Sequence, residues 1–288
     1  MKIALGTAQF GMNYGIANSS GVQTESEIFK ILNLSSINGI DTLDTAISYG
    51  NSEKVIGKYN LDNFKLITKL PKLDPSVNNP ESWIIDSLNG SLNRLNQSNI
   101  YALLLHAPYD LKGPYGKCII KTLNEFKSNK IIQKLGISIY SPSELNDLLP
   151  LIDLDLVQVP YNIFDRRIEK SGWLKVLNDR SIEVHGRSAF LQGLLTMDFN
   201  DIPNFFARYK KIFKAWSDWT TSNNLSLIEA SLLFSISSNQ IQKTVIGIDN
   251  IEQLTEIIEY SKNTKSYDFP DLSIDDETLL NPSNWKIA

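Results

Sequence analysis

Four residues of this chain have types that could do chemistry together. Asp44 and Tyr49 share the stretch DTLDTAISYG (41–50), Lys69 lies near the end of FKLITKL (64–70), and His106 near the end of YALLLHA (101–107). A phenol is a poor acid at neutral pH unless something stabilises its anion. A neighbouring ammonium does that, and an ammonium near a protein core needs a counterion, which Asp44 can supply. A histidine beside them can donate a hydrogen bond to a carbonyl oxygen without competing for the proton. Together the four would protonate the oxygen of an aldehyde or ketone as a nucleophile reaches its carbon. No side chain supplies hydride, so a nicotinamide cofactor is implied. Taken singly, each residue has a plainer role: Asp44 as a helix N-cap, Lys69 as a solvated strand end, His106 as a satisfied structural residue, Tyr49 as a loop aromatic. Their joint placement on consecutive strands favours the chemistry.

The elements that must position them alternate along the chain. Eight short β-rich runs are spaced through the sequence: 3–8, 41–46, 64–70, 101–107, 132–138, 155–160, 182–189 and 243–248. Helical spacing fills 24–39, 81–95, 118–129, 141–149 and 250–261, and 203–238 reads as two consecutive helices. Thr24 with Glu27 forms a capping box, and Gly39 suits a helix C-terminus. Strands alternating with helices argue for a parallel sheet. At 288 residues the (β/α)8 barrel leads and a doubly wound sheet is second. One domain over 1–288 is expected, with 263–288 as a tail packed over one end.

In a (β/α)8 barrel the strand C-termini carry the chemistry. Here those ends are Thr7, Asp44, Lys69, His106, Ser138, Gln158, Arg187 and Gly247. A near-complete polar ring is hard to explain as packing. Composition narrows the partners. A net charge of −4 without a long basic run speaks against nucleic acid and anionic membranes. The one cysteine, Cys118, excludes an internal disulfide framework and fits a reducing cytosol. The apolar start is too short for a signal peptide, and no run is long enough for a membrane helix. No Cys/His cluster has zinc spacing, so no metal is expected. Cys118 and His185 read as structural. Phe10, Tyr14, Tyr109, Tyr115 and Phe164 fall on loops leaving the strand ends, where they either wall a substrate pocket or pack the loops. The oligomeric state is left open.

These residues resemble the aldo-keto reductase superfamily. DTLDTAISYGNSEKVIG (41–57) is similar to its Asp-x-x-x-x-Tyr segment, LITKL (66–70) to its lysine strand and LLLHAP (103–108) to its histidine strand. The resemblance continues in LGTAQFG (5–11), LGISIYSP (135–142), VQVPYNIFDRR (157–167), RSAFLQGLL (187–195) and VIGIDNIEQLTEI (245–257), nearly the whole chain. It implies Tyr49 as proton donor, tuned by Lys69 and Asp44, with His106 orienting the carbonyl. It implies a cofactor site of Gly6, Thr7, Ala8 and Asp44, with Ser138 and Gln158 at the nicotinamide carboxamide. Arg187, Ser188, Phe190, Leu191, Gln192 and Gly193 would follow the pyrophosphate, and Gly247, Asn250 and Gln253 the adenosine end.

The chain departs from that pattern in places. Ser138 is followed by Ile139 where the family often has asparagine, and Arg187 stands where many members place a ring under the nicotinamide. Gln253 replaces the arginine that often grips the 2′-phosphate, Ile257 replaces a frequent asparagine, and Asp249 is acidic. The family implies NADP(H), with NAD(H) as the other option. The reading is an NAD(P)H-dependent reductase of a small-molecule aldehyde or ketone, sugar-type carbonyls included. Two rivals stand beside it: a Schiff-base aldolase using Lys69, and a nicotinamide-nucleotide-binding sensor without turnover.

Overall fold

A computed structural model describes residues 1–16, 18 and 21–285. Eight parallel strands close into a barrel in sequence order: β1 (Ile3–Gly6), β2 (Thr42–Asp44), β3 (Lys65–Leu70), β4 (Ile100–Leu105), β5 (Ile132–Ser138), β6 (Leu156–Pro160), β7 (Glu183–Arg187) and β8 (Lys243–Gly247). Seven of the eight apolar runs contain one of these strands whole, and β4 starts one residue before its run of 101–107. The doubly wound alternative is excluded by the hydrogen-bonded pairing of β1 with β8.

The intervening helices are α1 (Glu25–Ile37), α2 (Ser52–Ile56), α3 (Pro80–Leu95), α4 (Gly116–Ser128), α5 (Glu144–Leu148), α6 (Arg167–Lys170), α7 (Trp173–Asp179), α8 (Lys210–Ser222), α9 (Leu227–Ser237), α10 (Ile251–Tyr260) and α11 (Glu277–Leu280). Local chemistry explains several of their ends. Thr24 accepts from the Glu27 amide at 3.2 Å, half of the predicted capping box. Asn79 caps α3 ahead of Pro80, and Ser226 caps α9. Region 203–238 holds the two predicted helices, α8 and α9, behind a 3-10 turn (Asn204–Tyr209).

Strand pleat decides which side chains enter the barrel, because successive residues point to opposite faces and residues in register share one. Leu43, Leu66, Leu103, Leu105 and Val157 pack outward in the large core between strands and helices. Ile67, Ala102, Leu104 and Leu156 form a separate small core inside. Register carries this inner set upward from one strand to the next: Gly6 opposite Asp44, Asp44 opposite Ile67, Lys69 opposite Leu104, Ser138 opposite Gln158. The polar strand ends are therefore the top layer of the barrel interior. The inner core is tight at Gly136, where an added Cβ would lie 2.4 Å from the Leu156 carbonyl oxygen and 2.5 Å from a Leu104 methyl.

The C-terminal segment packs against the loops after β6 and before α8. The Ile274 amide donates to the Phe164 carbonyl at 3.0 Å. Lys170 pairs with Asp271 at 2.8 Å, Arg167 pairs with Glu277, and Trp285 meets Phe206 edge to face. Positions 286–288 of the expected tail lie outside the described residues.

Gly136→Ala should destabilise the barrel by about 1–3 kcal/mol, the usual scale for overpacking a filled core. A urea midpoint unchanged from the parent chain would show that the inner layer has slack.

Candidate active site

Asp44 anchors the mouth of the barrel. One carboxylate oxygen, Oδ1, accepts from Lys69 Nζ at 2.5 Å, and the other, Oδ2, accepts from Gln158 Nε2 at 2.7 Å. Lys69 Nζ also donates to the Thr45 carbonyl at 2.9 Å. The two charged side chains are 1% and 4% exposed, so each needs the other: a lone buried charge is far costlier than a pair. Ser138 Oγ donates to Gln158 Oε1 at 3.4 Å, extending the chain of contacts to β5.

Tyr49 stands above this pair. Its ring centroid is 5.3 Å from Lys69 Nζ and 6.0 Å from the ring of His106, which it meets edge to face. The turn carrying Tyr49 is braced from below. Ser52 Oγ donates to the Thr7 carbonyl at 2.9 Å. Glu53 is buried beneath and accepts from Thr68, Ser91 and Arg94, at 2.6, 2.6 and 2.8 Å. Gly11 lets the loop after β1 lie against the turn: a Cβ there would sit 1.9 Å from the Tyr49 carbonyl oxygen.

The electrostatics follow from burial. Burial, reinforced by the Asp44 carboxylate, pushes the Tyr49 phenol above its ordinary value, while the Arg187 guanidinium pulls it down. Burial also lowers Lys69, and Asp44 works against that. Burial lowers His106 to about 4, with Lys69 and Arg187 adding to the shift. At neutral pH the site thus holds a protonated phenol beside a neutral imidazole. The sequence reading gave the task of stabilising a phenolate to Lys69. In the structure Lys69 is paired with Asp44 while its ammonium lies 5.3 Å from the Tyr49 ring centroid, and the Arg187 guanidinium is a second cation acting on the phenol.

Tyr49 and His106 open onto a cleft holding about 1120 Å3 of space, its open mouth included. Most predicted cofactor residues line it: Gly6, Thr7, Ala8, Asp44, Ser138, Gln158, Arg187, Ser188, Phe190, Gln192, Gly193, Gly247 and Gln253. Leu191 does not; it is buried in the core. Asn250 does not either; its side chain caps α10 by accepting from the Gln253 amide at 2.8 Å. Lys69 lies beneath the wall rather than in it, with its ammonium engaged, which counts against a Schiff-base role. Arg187 pairs with neither Asp165 nor Glu183. It donates to the Ile139 carbonyl at 2.9 Å and to Ser188 Oγ at 3.1 Å, and covers the ring of Tyr140 at 4.6 Å.

Of the five loop aromatics, Tyr14 lines the cleft, Phe10 and Phe164 are buried in the core, Tyr109 is exposed and Tyr115 packs partly buried against the core. Cys118 is half-buried on α4. His185 is buried, with Nε2 3.0 Å from Glu183 Oε1. Gln9 and Tyr140 also line the cleft. Their signal in the sequence was only adjacency, to Thr7 and to Ser138.

The donor set suits a nicotinamide nucleotide. Ser138 and the remaining lone pair of Gln158 could bind a carboxamide near Tyr49. The segment 188–193, which lines the cleft except at Leu191, follows a strained path, with the non-glycine residues Ser188, Leu191 and Gln192 at positive φ. Such backbone is uncommon outside glycine and is kept where function or packing over-determines it. At the far end, Asp249 Oδ1 is buried and makes no hydrogen bond. Among the described residues no group of three or more His, Cys, Asp or Glu is placed to hold a metal, and no helix is long and apolar enough to cross a membrane.

The fold and the cleft define a barrel oxidoreductase, and the comparisons with known proteins agree. Residues 2–273 match the aldo/keto reductase family, and the chain belongs to it. The uncharacterized oxidoreductase YqkF of Bacillus subtilis strain 168 is 26% identical over 288 residues, covering 90% of each chain. The NADH-specific methylglyoxal reductase of Escherichia coli K12 is 29% identical over 189 residues, 55% of each chain. Among solved structures, the aldo-keto reductase AKR11C1 from Bacillus halodurans, in its holo form, shares the fold at a TM-score of 0.73. It is 19% identical, with 92% of this chain and 88% of that one covered.

The low pKa of His106 predicts a stability signature. Between pH ~6.5 and about 4 the unfolded chain binds a proton that the folded chain refuses, so stability must fall as the solution is acidified through that window. Thermal unfolding at pH 7 and pH ~5 should show a smaller acid-induced drop in Tm for His106→Gln than for the parent chain. Equal drops would mean that the imidazole is not held neutral.

Proposed function

We propose that the protein reduces a small aldehyde or ketone to the alcohol with a reduced nicotinamide nucleotide. The observation that carries this reading is a protonated phenol, Tyr49, beside a neutral imidazole, His106, on the wall of one cleft, over a buried and neutralised Lys69–Asp44 pair. When bound, the cofactor supplies a hydride to the carbonyl carbon. His106, neutral, donates a hydrogen bond that orients the carbonyl oxygen. Tyr49 gives its proton to that oxygen as negative charge develops there. The raised pKa of the phenol keeps the proton in place until an alkoxide, a stronger base, appears. The phenolate left behind is stabilised by Arg187 and by the ammonium under its ring, and is reprotonated from solvent through the open cleft. Lys69 and Asp44 act on Tyr49 rather than on the substrate, Lys69 through its charge and Asp44 by holding Lys69 in place.

Tyr49→Phe should lower kcat by about 10²-fold or more, the scale of a positioned general acid. Nucleotide affinity, measured by calorimetry, should stay near that of the parent chain. Near wild-type turnover would overturn the assignment of the proton donor.

Lys69→Met should do two things at once. It should lose turnover like the tyrosine variant, and it should lose about 3–5 kcal/mol of stability because Asp44 is left buried and unpaired. Borohydride treatment of the parent chain with a carbonyl substrate should trap no adduct on Lys69. A trapped adduct there would favour the aldolase chemistry instead.

A further inference from the structure

The two ends of the cleft differ in charge. Near Tyr49 the Asp44 carboxylate is matched by Lys69, and Arg187 adds a guanidinium. At the far end, beyond β8, the wall is Asp249 and Gln253. Arg187 is the one lysine or arginine among the described residues that line the cleft. The first turn of α10 would ordinarily suit a phosphate, since helix N-termini present free amides and a favourable dipole. Here two of those amides, and the Asp249 amide just before the helix, are already engaged by the chain itself. The Ile251 amide donates to Glu27 Oε1 at 3.1 Å, that of Gln253 to Asn250 Oδ1 at 2.8 Å, and that of Asp249 to Gln253 Oε1 at 2.7 Å. A carboxylate of the protein, Glu27, thus sits at the helix N-terminus. Asp249 brings a second carboxylate, half-buried, which the Gln9 side chain hydrogen-bonds while Oδ1 is left unpartnered. Lys30, 3.6 Å from Glu27 Oε2, is exposed on α1, and it and Glu27 both lie outside the cleft wall.

We propose that this end of the cleft selects NAD(H) over NADP(H), with Asp249 as the specificity-determining residue and Glu27 reinforcing it. The proposal rests on the reading of the cleft as a nicotinamide-nucleotide site. The two nucleotides differ at the adenosine ribose, which carries a hydroxyl in one and a phosphate dianion in the other. A hydroxyl can donate to a carboxylate oxygen that lacks a partner, here Asp249 Oδ1, the means by which an acidic residue reads the ribose of NAD in another nucleotide-binding fold. A dianion meets the Asp249 carboxylate instead, with Glu27 behind the wall at the helix N-terminus, finds the Ile251 and Gln253 amides occupied, and has no cation in the wall to neutralise it. Gln253 cannot compensate: it has no charge, and its carbonyl oxygen is held by the Asp249 amide.

Calorimetric titration of the full chain with NADH and with NADPH tests this directly. NADH should bind tighter by about tenfold or more at low salt, because like charges in a partly desolvated wall repel. Raising ionic strength from about 10 mM to about 500 mM should narrow the gap by screening that repulsion. Asp249→Asn should tighten NADPH several-fold and weaken NADH, and Glu27→Gln should move the ratio the same way to a smaller extent. If Asp249→Asn does not fold, the parent chain's ratio and the Glu27→Gln shift still decide the matter. NADPH binding as tightly as NADH to the parent chain would overturn the proposal, as would a preference for NADH that neither variant reduces. Failure of both nucleotides to bind would overturn the underlying reading of the cleft, a result distinct from either.

Discussion

The mouth of this barrel depends on the ion pair between Lys69 and Asp44. Both side chains are almost wholly removed from water, and neither would remain charged there alone. Each therefore takes a fixed set of partners. Asp44 uses both oxygens, one for Lys69 and one for Gln158, while Lys69 adds the Thr45 carbonyl. The contacts tie β2, β3 and β6 together across the barrel. They also create a neutral base on which a phenol and an imidazole can rest at short range without either being forced to ionise.

That neutrality has consequences further along the cleft. Because Lys69 and Asp44 nearly cancel, the field in the open part is set by the residues left over. Arg187 is one, held flat on Tyr140 by two hydrogen bonds to its own surroundings. Asp249 is another, at the far end. A polar wall of this kind directs a ligand by charge as well as by shape.

Precision at the mouth comes from the layer outside the strands. The turn bearing Tyr49 is fastened by Ser52 to Thr7, and by Glu53 to β3 and α3. Apart from Thr7, none of these groups lines the cleft. They hold the phenol's backbone to a rigid scaffold, and a proton donor must be placed to within a fraction of an ångström to be effective.

Much of this was legible in the chain alone. Parallel strands buried on both faces leave continuous apolar runs, and their polar ends are conspicuous against that background; hence the eight strands, their order and the residues Asp44, Lys69, His106, Ser138, Gln158 and Arg187 could be picked out by position. Spacing could also nominate Thr24 as a helix cap, because capping is local. Partnerships between strands distant in sequence could not be read, since pleat and register choose them: Gln158 holding Asp44, Arg187 lying on Tyr140, Glu53 bracing the turn of Tyr49. For the same reason Leu191 could not be told from its cleft-lining neighbours, nor Asn250 recognised as fully engaged in a cap. The sequence by itself determined which chemistry the strand ends carry, because residue type sets charge and proton affinity. Only the tertiary structure decided which charge acts on which group, because burial and distance, not order along the chain, govern electrostatic coupling.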